Sequence, residues 1–114
     1  MRVIGRILFG DDASPFSGAT AHVFVEDTTY VDAPSVTLGS WRREGVAYPA
    51  DAPGVPFEIA VEPDPLEGRR CTLRVLVDLD GDGSVGRGDY LNIESIPVGR
   101  GGEAINVRVK RFAA

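Results

Sequence analysis

Four carboxylates recur at a spacing that suits a hard cation. The stretch is Asp78-Leu79-Asp80-Gly81-Asp82-Gly83-Ser84-Val85-Gly86-Arg87-Gly88-Asp89. It follows the twelve-residue Ca²⁺ loop template, with Asp78, Asp80 and Asp82 at positions 1, 3 and 5. Gly83 stands at position 6, where the turn leaves no room for a Cβ. Ser84 at position 7 would offer its carbonyl, and Gly86 at position 9 would leave its place to water. Asp89 takes position 12, where the template has Glu. Its reach is one methylene shorter, but it is still a carboxylate. Such a cluster repels itself when empty, and a dication removes that cost. Mg²⁺ demands tighter octahedral geometry, and Zn²⁺ prefers His or Cys, so Ca²⁺ is the expected ion. The competing reading is an Asp/Gly hairpin turn, which leaves Asp78 and Asp89 unexplained.

Other reactive residues read as structural. His22, the only histidine, lies on a strand face with Phe24 and Glu26. Cys71, the only cysteine, shares a face with Leu73, Val75 and Val77 and reads as a small buried hydrophobe. No disulfide can form within the chain. No serine sits in a Gly-x-Ser-x-Gly setting, and no glycine-rich phosphate cradle is present. Asp11-Asp12 and Glu26-Asp27 read as turn acids, and Trp41 as a packing residue. The expectation is a protein without catalysis.

The elements that would carry the loop are strands. Fourteen glycines and eight prolines in 114 residues oppose a helix bundle. Period-two alternation marks strands near 3–9, 19–27, 36–43, 57–62, 71–78, 90–96 and 104–112. Turn chemistry separates them: Gly10 to Pro15, the prolines 49, 53 and 56, Pro63-Asp64-Pro65, and Gly99-Arg100-Gly101-Gly102. About seven short strands predict an all-β fold, an antiparallel β-sandwich, in one domain over 1–114. The loop's flanks are strand-like, so it is EF-hand-like in ligands only. Such a loop would be structural and not a sensor.

Hydrophobic residues make up 43% of the chain and charged ones 25%, the balance of a globular domain. The net charge is −5 and disfavours nucleic acid as a partner. The basic run Arg108-Val109-Lys110-Arg111 reads as the polar face of a last strand. No apolar stretch approaches the ~18–20 residues of a membrane span. The chain as given opens on a strand, without a signal-peptide apolar region. It therefore reads as cytoplasmic as written, and as exported or envelope-associated if a leader has been removed.

Several stretches in order resemble the YbaY/YscW-type lipoprotein family, whose YscW-like members act as type III secretion pilotins. They are Val3-Ile4-Gly5-Arg6-Ile7, Ala19-Thr20-Ala21-His22-Val23-Phe24-Val25-Glu26-Asp27, Val31-Asp32-Ala33-Pro34, Val55-Pro56-Phe57-Glu58-Ile59 and Ile96-Pro97-Val98. The resemblance implies a β-sandwich, a binding or chaperone-like role, and another protein or envelope component as partner. The alternative is a Ca²⁺-stabilised structural module of a surface or adhesin-type protein.

Overall fold

Apolar residues at every second position commit most of this chain to extended backbone with one buried face. The computed structural model describes residues 2–29, 32, 34, 36–52, 54–61, 70–81, 88–92, 96–98 and 104–112. Among the described residues there is no helix. The strands are β1 (Arg2–Phe9), β2 (Phe16–Asp27), β3 (Val36–Tyr48), β4 (Gly54–Ala60), β5 (Cys71–Asp78), β6 (Tyr90–Leu91), β7 (Ile96–Pro97) and β8 (Ile105–Arg111).

The all-β expectation holds, and the strands form one nearly closed sheet that is not clearly a sandwich. The strands follow one hydrogen-bonded path, β3-β2-β5-β6-β8-β1-β4, with β7 also paired to β5. The two-residue β6 carries the ladder across, pairing Leu76 with Leu91 and Leu91 with Lys110. The end strands β3 and β4 then approach each other. Trp41 and Phe57 have ring centroids 6.2 Å apart, and a Cβ on Gly39 would stand 3.0 Å from methyls of Ile59 and Val61. The sheet is thus nearly closed and barrel-like. Alternation alone is the same for a sandwich and a barrel, which is why the sequence could not separate them. The wholly antiparallel expectation is corrected. β1 and β8 run parallel, with Gly5 beside Ile105 and Phe9 beside Val109.

The inward faces match the alternation. Val3 and Ile7 of β1, Ala21, Val23 and Val25 of β2, and Val55, Phe57 and Ile59 of β4 are buried. So are Cys71, Leu73, Val75 and Val77 of β5, and Val107 and Val109 of β8. β2 and β3 extend beyond the expected limits through irregular register, with Gly18 and Gly45 at positive φ.

The expected strand 90–96 is split into β6 and β7, with 93–95 outside the described residues. Between them Asn92 supplies a rung from its side chain. Its Oδ1 accepts the Val75 N–H at 2.8 Å, and its Nδ2 donates to the Leu73 carbonyl at 3.0 Å. The amide thus stands in for a strand's backbone, donor and acceptor together.

Gly5 shows how tightly β1 is enclosed. A Cβ there would lie 2.5 Å from Phe57 Cζ and against the Ile105 carbonyl. Gly5→Ala is therefore expected to destabilise the fold by about 1–3 kcal/mol through overpacking. Urea unfolding of the two chains measures this, and an unchanged midpoint would contradict it.

Candidate functional site

The ladder that joins β5 to β6 also assembles the acidic cluster. Val77 pairs with Tyr90 in antiparallel register. The next residues outward, Asp78 and Asp89, therefore face each other where the strands part. Both are 1% exposed, whereas Asp80 lies at the surface. One carboxylate oxygen from each of Asp78, Asp80 and Asp89 lies within 4.8 Å of the others. The remaining expected ligands, Asp82 and Ser84, lie with Gly83 outside the described residues.

Backbone donors hold the carboxylates in place. The Leu79 N–H donates to Asp89 Oδ1 at 2.8 Å. The Gly81 N–H donates to Asp78 Oδ1 at 3.0 Å, closing a turn in which Gly81 has a φ of 75°. On the return limb Gly88 has a φ of 94° and donates its N–H to the Phe112 carbonyl at 2.8 Å. The Phe112 N–H donates to the Asp89 carbonyl at 2.7 Å. The limb is thereby clamped to the end of β8.

Beneath it Tyr90, 1% exposed, enters an aromatic cluster. Its ring lies 5.7 Å from Phe9 and 5.5 Å from Phe16, and its hydroxyl accepts the Ser14 N–H at 3.0 Å. The carboxylates therefore stand on a packed floor.

Three hard oxygen donors, two of them withdrawn from solvent, could hold a dication such as Ca²⁺ or Mg²⁺. Two full negative charges within 4.8 Å of each other would repel by roughly 3 kcal/mol or more at an effective dielectric of ~20. The N–H donors offset part of this, and a dication would offset the rest.

The other singled-out residues fall elsewhere. His22 stacks on Phe24 with centroids 5.9 Å apart, and the Arg74 guanidinium lies 4.2 Å over the same ring. Arg74 Nε also donates to Glu26 at 3.0 Å, so this face of β2 and β5 is a packed surface ladder. Asp27 accepts the Thr29 N–H and hydroxyl, and Asp12 accepts the Arg111 N–H at 2.8 Å. These acids hold turns and strand ends. Sequence reasoning missed Asn92 and the Phe112 clamp, because a pairing amide and a carbonyl partner have no spacing signature.

Asp89→Ala removes the acceptor of a partly buried N–H. It is expected to cost about 1–3 kcal/mol in urea unfolding without added metal, and Asp89→Asn, which keeps an acceptor, is expected to recover part of that. Equal stability of Asp89→Ala and the parent would contradict the described geometry.

No family model matches the sequence, and no curated protein matches it. A solved structure does match, that of an alternative pilotin from the type II secretion system of Vibrio cholerae. The likeness has a TM-score of 0.76 at 12% identity and covers 100% of this chain and 98% of that one. At so low an identity the likeness is one of fold. Along its whole length, this chain has a fold similar to that of a secretion pilotin.

Proposed function

We propose that this chain is a non-enzymatic binding domain of the pilotin kind, engaging a protein or envelope component of a secretion apparatus. The observation that carries the reading is the end-to-end fold likeness to the Vibrio cholerae pilotin. The stretches that resemble the YbaY/YscW-type family add support by their placement. Val3-Ile4-Gly5-Arg6-Ile7 lies in β1, residues 19–27 lie in β2, and Val55-Pro56-Phe57-Glu58-Ile59 lies in β4. Ile96-Pro97 forms β7. Of the stretch 31–34, Val31 and Ala33 lie outside the described residues. A fold hosts many functions, so the test is direct. The tagged chain, cross-linked in its native cells and purified, is expected to bring down a secretion-apparatus component. Recovery of no such component, with secretion intact after deletion, would overturn the reading.

The same proposal gives the 78–89 loop a structural Ca²⁺ ion, held by Asp78, Asp80, Asp82 and Asp89 with the Ser84 carbonyl. The convergence of Asp78, Asp80 and Asp89 supports it. A dissociation constant of ~10⁻⁴ M at ~1 mM Ca²⁺ adds ~1.4 kcal/mol by mass action. Ca²⁺ is therefore expected to raise the melting temperature relative to chelator, and Asp80→Ala to abolish the difference. Identical melts of the parent chain with and without Ca²⁺ would refute the ion.

A further inference from the structure

The outward face of β1 and β8 departs from the charge of the rest of the chain. β1 presents Arg2, Ile4, Arg6 and Leu8 outward, and β8 presents Asn106, Arg108 and Lys110. Their parallel register sets Arg6 beside Asn106 and Leu8 beside Arg108. Arg6 and Arg108 are therefore diagonal neighbours on one face. β1 and β8 hold five of the chain's twelve cations, while Glu58 on β4 is one of its seventeen carboxylates.

Glu58 is committed to Arg2, at 2.8 Å. Asp12, at the margin, holds the Arg111 N–H. Arg6, Arg108 and Lys110 remain exposed, with no carboxylate at ion-pair distance among the described residues. Apolar surface flanks Arg6 on both sides along β1, with Ile4 40% exposed and Leu8 half-buried. Gly54 makes room for the Arg6 stem. A Cβ there would fall 2.7 Å from Arg6 Cγ and 2.8 Å from Leu8 Cδ2.

In a chain of net charge −5, three cations on one sheet face, with no carboxylate at ion-pair distance among the described residues, form a local positive field that an anion relieves. Arginine forks pair with carboxylates two bonds at a time. Ile4 and Leu8 offer apolar contact to the stems of an extended peptide. A membrane plane would also meet Asp12 at the margin and Glu58 on β4. A short peptide need not.

We propose that the outward face of β1 and β8, centred on Arg6, Arg108 and Lys110, docks an acidic segment of a partner protein. This rests on the binding role above for the class of occupant.

The test is titration of the ¹⁵N-labelled chain with a decaglutamate peptide at low salt, followed by NMR. The expected result is saturable amide shifts confined to β1, β4 and β8. Arg6→Ser with Arg108→Ser is expected to weaken binding roughly five- to tenfold, and Lys110→Ser alone roughly twofold. Arg42→Ser on β3 is the control and should leave affinity unchanged. Shifts centred elsewhere, no shifts, or equal affinity of the double variant would overturn the proposal. Binding to phosphatidylglycerol vesicles without binding to decaglutamate would overturn it in favour of a membrane surface. If the cross-linked complex forms with the parent and survives intact in the double variant, the docking face is wrong while the binding role stands. If the parent forms none, the binding role itself fails.

Discussion

Two rungs of ladder, Leu76 with Leu91 and Val77 with Tyr90, are the constraint on which the molecule depends. They join the β3-β2-β5 side to the β4-β1-β8 side, because among the described strands β6 is the one that pairs with both β5 and β8. They also set Asp78 against Asp89. A two-residue strand is weak by itself, since each backbone hydrogen bond contributes only about 0.5–1.5 kcal/mol net. Neighbouring contacts reinforce it. Tyr90 is buried among Phe9 and Phe16, Asn92 continues the pairing with its side chain, and Phe112 clamps the residues before it. Asp78 and Asp89 thus sit at the closure point of the sheet.

This arrangement explains what could be read in advance. Phe57, Ile59 and Val61 alternate cleanly with polar neighbours, and all three are buried. Cys71, Leu73, Val75 and Val77 share an inward face as expected. Such faces follow from local geometry, which alternation reports directly. Closure does not, because it depends on pairings between residues far apart in sequence, such as Leu91 with Lys110 and Gly5 with Ile105. β6 is too short to leave a periodic trace, and the parallel β1–β8 pair leaves none at all. The acidic cluster was legible because ligand spacing within a loop is local. Asp78, Asp80 and Asp89 converge, and Asp82 and Ser84 are outside the described residues. The basic face was half legible. Its cations were read as the polar side of a last strand, but their meeting with Arg6 required the register.

The two charged regions answer different needs. Asp78 and Asp89 at the β5–β6 end are internal to the fold, withdrawn from solvent and held by backbone donors, with Asp80 at the surface beside them. The cations of β1 and β8 are external and stand on exposed sheet. A domain whose stability is tied at one end and whose surface charge is placed on another face can bind a partner without disturbing its own closure.

The proposed Ca²⁺ site would make the carboxylates that face each other across the parting of β5 and β6 the ligands of a dication. Titration calorimetry of the metal-stripped chain with Ca²⁺ tests it most directly. The account predicts a single site of unit stoichiometry, with a dissociation constant near ~10⁻⁴ M and weaker binding of Mg²⁺. Heats no larger than dilution up to millimolar Ca²⁺ would contradict it.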